Sequence, residues 1–211
     1  MTLKAYKTIR GEAASLQIIN KSKFLGLIVA VDSIEKANDI LKKVQKEHKD
    51  ANHNCYAYII GKNQESMKYS DDGEPGGTAG LPMLEVLKKR GLTDVLFVCT
   101  RYFGGIKLGS GGLVRAYSTS VSKTLNEVEI TTYIPCEIFK VKVDYDIWSK
   151  IEKKVKAANA IIFKIEYLES IYLKIGVKND NKQNIFTIVN QALKIENAFE
   201  YIKTDYVESK A

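Results

Sequence analysis

In the last third of the chain, apolar and polar positions switch repeatedly between a period near two and a period near four. Residues 137–143 interleave Ile138, Val141 and Val143 with Lys140 and Lys142, a strand pattern. Asp146 can cap a helix reaching to about Ala158, with Ile147, Ile151 and Val155 four apart on one face. Two β-rich runs, 161–167 and 170–177, flank Leu168-Glu169 as a hairpin would. Residues 181–193 return to helical spacing through Ile185, Ile188, Val189 and Ala192, and 199–207 close as a strand. The predicted order is β-α-β-β-α-β, the ferredoxin-like split motif.

The earlier part is also mixed. Residues 16–20 and 24–31 predict strands around a turn at Lys21-Ser22. Ser33 predicts the N-cap of a helix to about His48, with Ala37, Ile40, Leu41 and Val44 inward. Runs 53–60 and 95–100 predict apolar strands, and 81–90 and 113–125 predict helices, the second burying Val114, Tyr117, Val121 and Leu125. The expectation is an α+β layer with helices on one face of a sheet. Ten of the fourteen glycines fall between Gly73 and Gly112, and only Gly176 follows them. Tyr133-Ile134-Pro135 is the natural break, since proline disfavours helix in the residue before it. Two domains are therefore expected, residues 1–134 and 135–211.

Composition narrows the function classes. With 45% hydrophobic residues the chain has enough apolar side chains for a core, which argues against a disordered or fibrous protein. No apolar run is long enough to cross a bilayer, and the first residues lack the apolar core of a signal peptide. Cys55, Cys99 and Cys136 are odd in number and widely spaced, so no disulfide framework is expected, and the location expected is cytoplasmic. The net charge of +7 is uneven: residues 1–134 hold 19 basic and 14 acidic side chains, including all four arginines. That excess favours an anionic partner, though weakly.

The chemistry concentrates in the glycine-rich middle, Ser70-Asp71-Asp72-Gly73-Glu74-Pro75-Gly76-Gly77-Thr78-Ala79-Gly80 and the segment 100–117. A Walker A loop from Gly104 would need lysine at position 110, where Ser110 stands. A dinucleotide fingerprint from Gly109 fails at Val114. A generic anion site fits better: Arg101 at a strand end, Lys107 in the loop, Ser110 and Gly111 at a helix start, and Arg115 one turn in. Against it stands a structural use of Arg101 or Arg115 as ion-pair partners of Asp71, Asp72 or Glu74. The three carboxylates could hold a hard cation, but Asp-Gly and Glu-Pro are strong turn chemistry, so the structural use is favoured. His53 is the only credible general base by type, and His53 with Cys55 falls short of the four ligands of a closed zinc site. No metal and no cofactor is expected.

These blocks carry a resemblance. Residues 70–80, Thr100-Arg101-Tyr102-Phe103-Gly104-Gly105, Lys107-Leu108-Gly109 and Gly111-Gly112-Leu113-Val114-Arg115-Ala116-Tyr117 resemble the IMPACT family. Ala51, His53, Cys55-Tyr56-Ala57-Tyr58 and Ser22-Lys23-Phe24 do as well. The resemblance spans the whole chain. It implies a first domain similar to the second domain of ribosomal protein S5, and a second similar to the last domain of elongation factor G. It also implies that eukaryotic relatives regulate translation by competing for the activator of a stress kinase, aided by an RWD domain. No RWD counterpart is read in this sequence, a departure that counts against the kinase-pathway role here.

Three functions remain. One is a translation-linked regulator that binds RNA or ribosomes through Arg101, Lys107, Ser110, Gly111 and Arg115. The second is an enzyme on a phosphorylated or nucleotide substrate, with His53, Asp71, Asp72 and Glu74 as its catalytic candidates. The third is a protein-binding regulator, whose partner would be another protein. No membrane partner is expected.

Overall fold

The computed structural model describes residues 3–209. The chain divides into two compact units, Tyr6–Thr132 on one side and residues 3–5 with 133–209 on the other. In the first unit β1 (Tyr6–Ile9) is followed by β2 (Glu12–Ile19), β3 (Ser22–Ala30) and α1 (Ile34–Glu47). Then come β4 (His53–Ile60), β5 (Ser66–Ser70), α2 (Gly80–Lys89), β6 (Val95–Tyr102) and α3 (Gly109–Leu125). The sheet runs β2-β3-β6-β4-β5, each neighbouring pair antiparallel. β2 and β3 meet at Asn20-Lys21, both left-handed at φ 46° and 63°, the backbone of a type I′ hairpin.

Both faces of this sheet are covered. α2 and α3 bring Met83, Leu87, Tyr117 and Val121 onto Phe24, Ile28, Phe97 and Cys99. α1 brings Ala37, Leu41 and Val44 onto Tyr58, Leu96 and Val98 on the opposite face. The expectation of helices on one face is thereby corrected. Residues 95–99 are all buried, and a strand with no polar side needs cover on both sides. α1 starts as the sequence predicts, with Ser33 Oγ accepting from the Lys36 amide at 3.3 Å. α3 starts four residues before its expected position, so Ser110 lies in its first turn and is not its cap. Gly109, Gly111 and Gly112 are poor helix formers, and burial of Leu113, Ala116 and Tyr117 further along offsets that cost.

β7 (Ile130–Val143) leads across Tyr133 into the second unit, followed by α4 (Tyr145–Ala157), β8 (Ile161–Tyr167), β9 (Ile171–Val177), α5 (Lys182–Leu193) and β10 (Phe199–Glu208). Its strands are ordered β10-β7-β9-β8, all antiparallel. α4 and α5 cover one face through Trp148, Ile151, Val155, Ile185 and Val189. Pro135 stands inside β7, opposite Tyr206 of β10; its fixed φ suits an extended chain, so the strand continues through it. Asp144 occupies the cap position of α4, two residues before the Asp146 expected there. Among the described residues no helix is long and apolar enough to cross a membrane.

Two-sided coverage has a measurable consequence. Leu41→Ala should destabilise the protein by about 2–5 kcal/mol, the range for truncating a buried leucine, because Leu41 is 6% exposed. Urea unfolding followed by far-UV circular dichroism reads this, and a loss below about 1 kcal/mol would mean that the α1 face is not a packed core.

Candidate functional site

Strand register assembles the site. Phe24 of β3 and His53 of β4 both stand opposite Arg101 of β6, so three strands contribute to one row. Alternation places that row on the face toward α2 and α3, since Phe24 belongs to that core. The segment between β5 and α2 folds back over it. The Asp71 carbonyl accepts from Cys55 Sγ at 2.9 Å and the Asp72 carbonyl from His53 Nδ1 at 2.8 Å. The Asp71 carboxylate accepts from the amides of Gly77, Ala79 and Gly80 at 2.8, 3.0 and 2.8 Å. It thereby caps α2, whose own cap position, Ala79, offers no side-chain bond. The Asp72 carboxylate accepts from the Asn54 amide at 2.6 Å. Both aspartates serve the backbone, as turn chemistry predicted. Among the described residues no three His, Cys, Asp or Glu side chains are grouped to hold a metal ion.

Glu74 differs from them: it is buried beneath the loop. Its Oε1 accepts from Arg101 Nη1 and from the Tyr117 hydroxyl, each at 2.6 Å. Its Oε2 stands 3.8 Å from His53 Nε2. A carbonyl can only accept, so His53 Nδ1 carries a proton toward Asp72 and Nε2 turns to Glu74. Burial, reinforced by Cys55, Cys99 and Glu74, pushes the Tyr117 phenol far above its ordinary range, so it stays a donor. The Arg101 guanidinium lies 5.2 Å from the Phe24 ring centre and 5.5 Å from that of Phe103. Its Nε is buried and has no hydrogen-bond partner among the described residues.

A cleft of about 430 Å³ opens over this group, with His53, Phe103, Lys107, Ser110 and Leu113 among its walls. The start of α3 forms one side. No side chain caps that helix, so the amides of its first turn have no intrahelical acceptor and the positive end of its dipole lies at the cleft wall formed by Gly109 and Ser110. Gly109 turns the chain into α3 at φ +72°, a conformation glycine adopts without strain. At Gly104 the reason for glycine is packing, because a Cβ there would lie 2.0 Å from the Lys21 backbone. Two further bonds pin the loop, Phe103 N to Asn52 Oδ1 at 2.7 Å and Gly104 N to Ser22 Oγ at 3.1 Å.

Of the residues expected from sequence, His53, Glu74, Arg101, Lys107 and Ser110 share this cleft. Asp71 and Asp72 contribute backbone support beside it, while Gly111 and Arg115 are exposed on α3 and are not among its walls. Arg101 forms the ion pair that was the structural alternative, and its free Nε remains beside the cleft. Tyr117 was not expected as a site residue, and Phe103 entered only as an aromatic beside the glycines of segment 100–117. Tyr117 was read only as part of an apolar stripe. The available signal was chemical: a phenol on a buried helix face needs a hydrogen-bond partner.

Two outcomes follow from the network. Glu74→Gln should cost about 3–5 kcal/mol, because it leaves the buried Arg101 charge uncompensated. The double variant Glu74→Gln with Arg101→Met should be more stable than Glu74→Gln alone in thermal unfolding. Burial also raises the Cys55 and Cys99 thiols, the latter to about 12. Both should therefore stay protonated and resist iodoacetamide at pH 8 in the folded protein, then react in urea, as mass spectrometry would show.

Relatives share this part of the chain. The family model described as Impact N-terminal domain matches residues 20–125, which include every residue of the cleft. The chain is 41% identical to the IMPACT family member YvyE of Bacillus subtilis, over 88% of this chain and 85% of that protein. It is 34% identical to YigZ of Escherichia coli, over 75% of this chain and 79% of that one. A crystal structure described as that of a hypothetical protein is similar over 95% of this chain and 98% of its own, with a TM-score of 0.61 and 27% identity. The chain belongs to the IMPACT family.

Proposed function

We propose that the first unit binds RNA, free or within ribosomal particles, through phosphate contacts centred on this cleft. One observation carries the reading: the uncapped start of α3 and Lys107 line a single space beside the Glu74–Arg101 pair. Backbone amides at a helix start suit a tetrahedral anion, and a lysine adds a point charge. Because Glu74 already neutralises Arg101, the attraction rests mainly on α3 and Lys107. The choice of RNA among phosphate-bearing ligands follows the basic excess of residues 1–134, 19 basic against 14 acidic side chains.

A specific distance favours a second reading. His53 Nε2 and Glu74 Oε2 stand 3.8 Å apart, and the bond from Nδ1 to Asp72 holds the imidazole in one orientation. That is how a base is set to take a proton from a ligand hydroxyl. On this reading the protein is an enzyme on a phosphorylated or nucleotide substrate, and His53→Ala would abolish turnover while phosphate binding persists.

Binding of a structured RNA across a salt series separates the readings. Affinity should fall steeply, with log K against log salt sloping by roughly −0.7 to −0.9 per phosphate contacted. Lys107→Ala should weaken binding to all sequences and make the slope shallower by about 0.7–0.9. Lys153→Ala, on an exposed part of α4, should change neither. A flat salt response, or an equal loss from Lys153→Ala, would overturn the RNA reading.

A further inference from the structure

We infer that the RNA is held as a single strand that crosses Phe103, with one base stacked on that ring and phosphates held on either side of it. The inference rests on the phosphate-binding reading above and adds to it the form of the ligand and a second contact region.

Phe103 lies immediately after β6 ends, where the sheet no longer separates its two faces. Phe103 is 45% exposed, and it lines two clefts. One is the α3 cleft already described. The other, of about 400 Å³, has Lys21, Lys23, Leu25, His48 and Tyr102 among its walls. Register accounts for the second cleft: Lys23 stands opposite Tyr102, one residue from Arg101 and therefore on the α1 face. There His48, which follows α1, meets the Tyr102 hydroxyl through Nδ1 at 3.0 Å. An exposed aromatic ring thus bridges two basic clefts on opposite faces of one sheet.

The chemistry selects the occupant. Lysines on both sides, Lys107 in one cleft and Lys21 with Lys23 in the other, and the free amides of α3 call for a polyanion. An exposed ring between them, with the Arg101 guanidinium already against it, suits the π-face of a base. A duplex keeps its bases inside its own stack and cannot offer one to Phe103, whereas a single strand can. The platform is also rigid. The Phe103 amide is bonded to Asn52, and Gly104 is packed against the backbone of Lys21, so the hairpin turn that carries Lys21 and the loop that carries Phe103 are fixed to each other.

The test uses the full chain with a single-stranded oligoribonucleotide of about ten nucleotides, a duplex of equal length, and inorganic phosphate. The single strand should bind more tightly than the duplex. Phe103→Ala should weaken it by roughly 5- to 150-fold, the measured range for losing one base–aromatic stack, and leave the salt slope unchanged. Lys21→Ala and Lys23→Ala should each make the slope shallower by about 0.7. Phe103→Trp gives a direct signature. The only native tryptophan, Trp148, is buried in the second unit, so the new indole should be quenched by the single strand and not by phosphate. Nuclear magnetic resonance shifts of the α3 amides on adding phosphate report the first cleft alone. If those shifts appear and the salt slope persists, yet duplex binds equally well and Phe103→Ala is neutral, the strand path is overturned and the phosphate reading stands. If neither phosphate nor RNA binds, both fall. Binding of an acidic peptide in place of RNA, with no quenching in Phe103→Trp, would also overturn it.

Discussion

The first unit's site depends on one buried carboxylate. Glu74 Oε1 holds Arg101 from β6 and Tyr117 from α3 at equal distances of 2.6 Å, and Glu74 itself comes from the loop between β5 and α2. Three segments far apart in sequence therefore meet at a single oxygen. Taking a carboxylate and a guanidinium out of water costs several kcal/mol for each ion, recovered only when geometry is close and remaining donors are satisfied. Here the tyrosine adds a second donor to the carboxylate and Phe24 shields one side of the guanidinium. The cost that remains is specificity: any packing that separates these three side chains strands a charge in a low-dielectric interior.

This arrangement decides which groups can meet a ligand. Arg101 reads in the sequence as the leading anion binder, yet most of its charge is spent on Glu74. What it brings to the edge of the cleft is a cationic face laid against Phe103. The fully uncommitted positive contributions are the α3 amides and the exposed ammonium of Lys107. The net field in the cleft is thus modest, and affinity for a polyanion must be gathered from several places along the surface. The same division leaves Glu74 Oε2 and His53 Nε2 as the cleft's acceptors, available to a hydroxyl-bearing ligand in either functional reading.

Elements were legible where burial printed a period. The β4 strand was readable to its bounds, His53–Ile60, because Ile59 and Ile60 end a continuous apolar run just before Gly61. The β-α-β-β-α-β order of the second unit was readable for the same reason. β5, an edge strand with Met67 and Tyr69 exposed, was not, since a strand with no buried face leaves no alternation. The α1 face was missed because seven consecutive buried residues in β6 look alike whether one or both sides are covered. In the site, Asp71, Asp72 and Glu74 are three carboxylates within four positions, and composition cannot rank them. Tertiary structure does: two accept backbone amides and the third is buried against a cation. The row of Phe24, Arg101 and His53 depends on pairings between strands more than forty residues apart in sequence, which no local pattern encodes.

Rigidity links the fold to the inferred mode of recognition. Ordering a mobile side chain on binding costs roughly 0.5–1.5 kcal/mol, which is subtracted from whatever the contact gains. Around Phe103 much of that ordering is already complete in the folded chain. Its amide is bonded, its neighbour Gly104 tolerates no Cβ against Lys21, and its ring rests on an arginine that Glu74 holds in place. The buried carboxylate thus positions an exposed ring through one intermediate. The lysines around it remain long and free, as suits contacts that slide along a phosphate backbone and yield to salt. A stiff apolar centre flanked by mobile charges therefore separates two functions in one surface: the ring discriminates between an unpaired base and a closed duplex, while the lysines and helix end supply attraction that is blind to sequence.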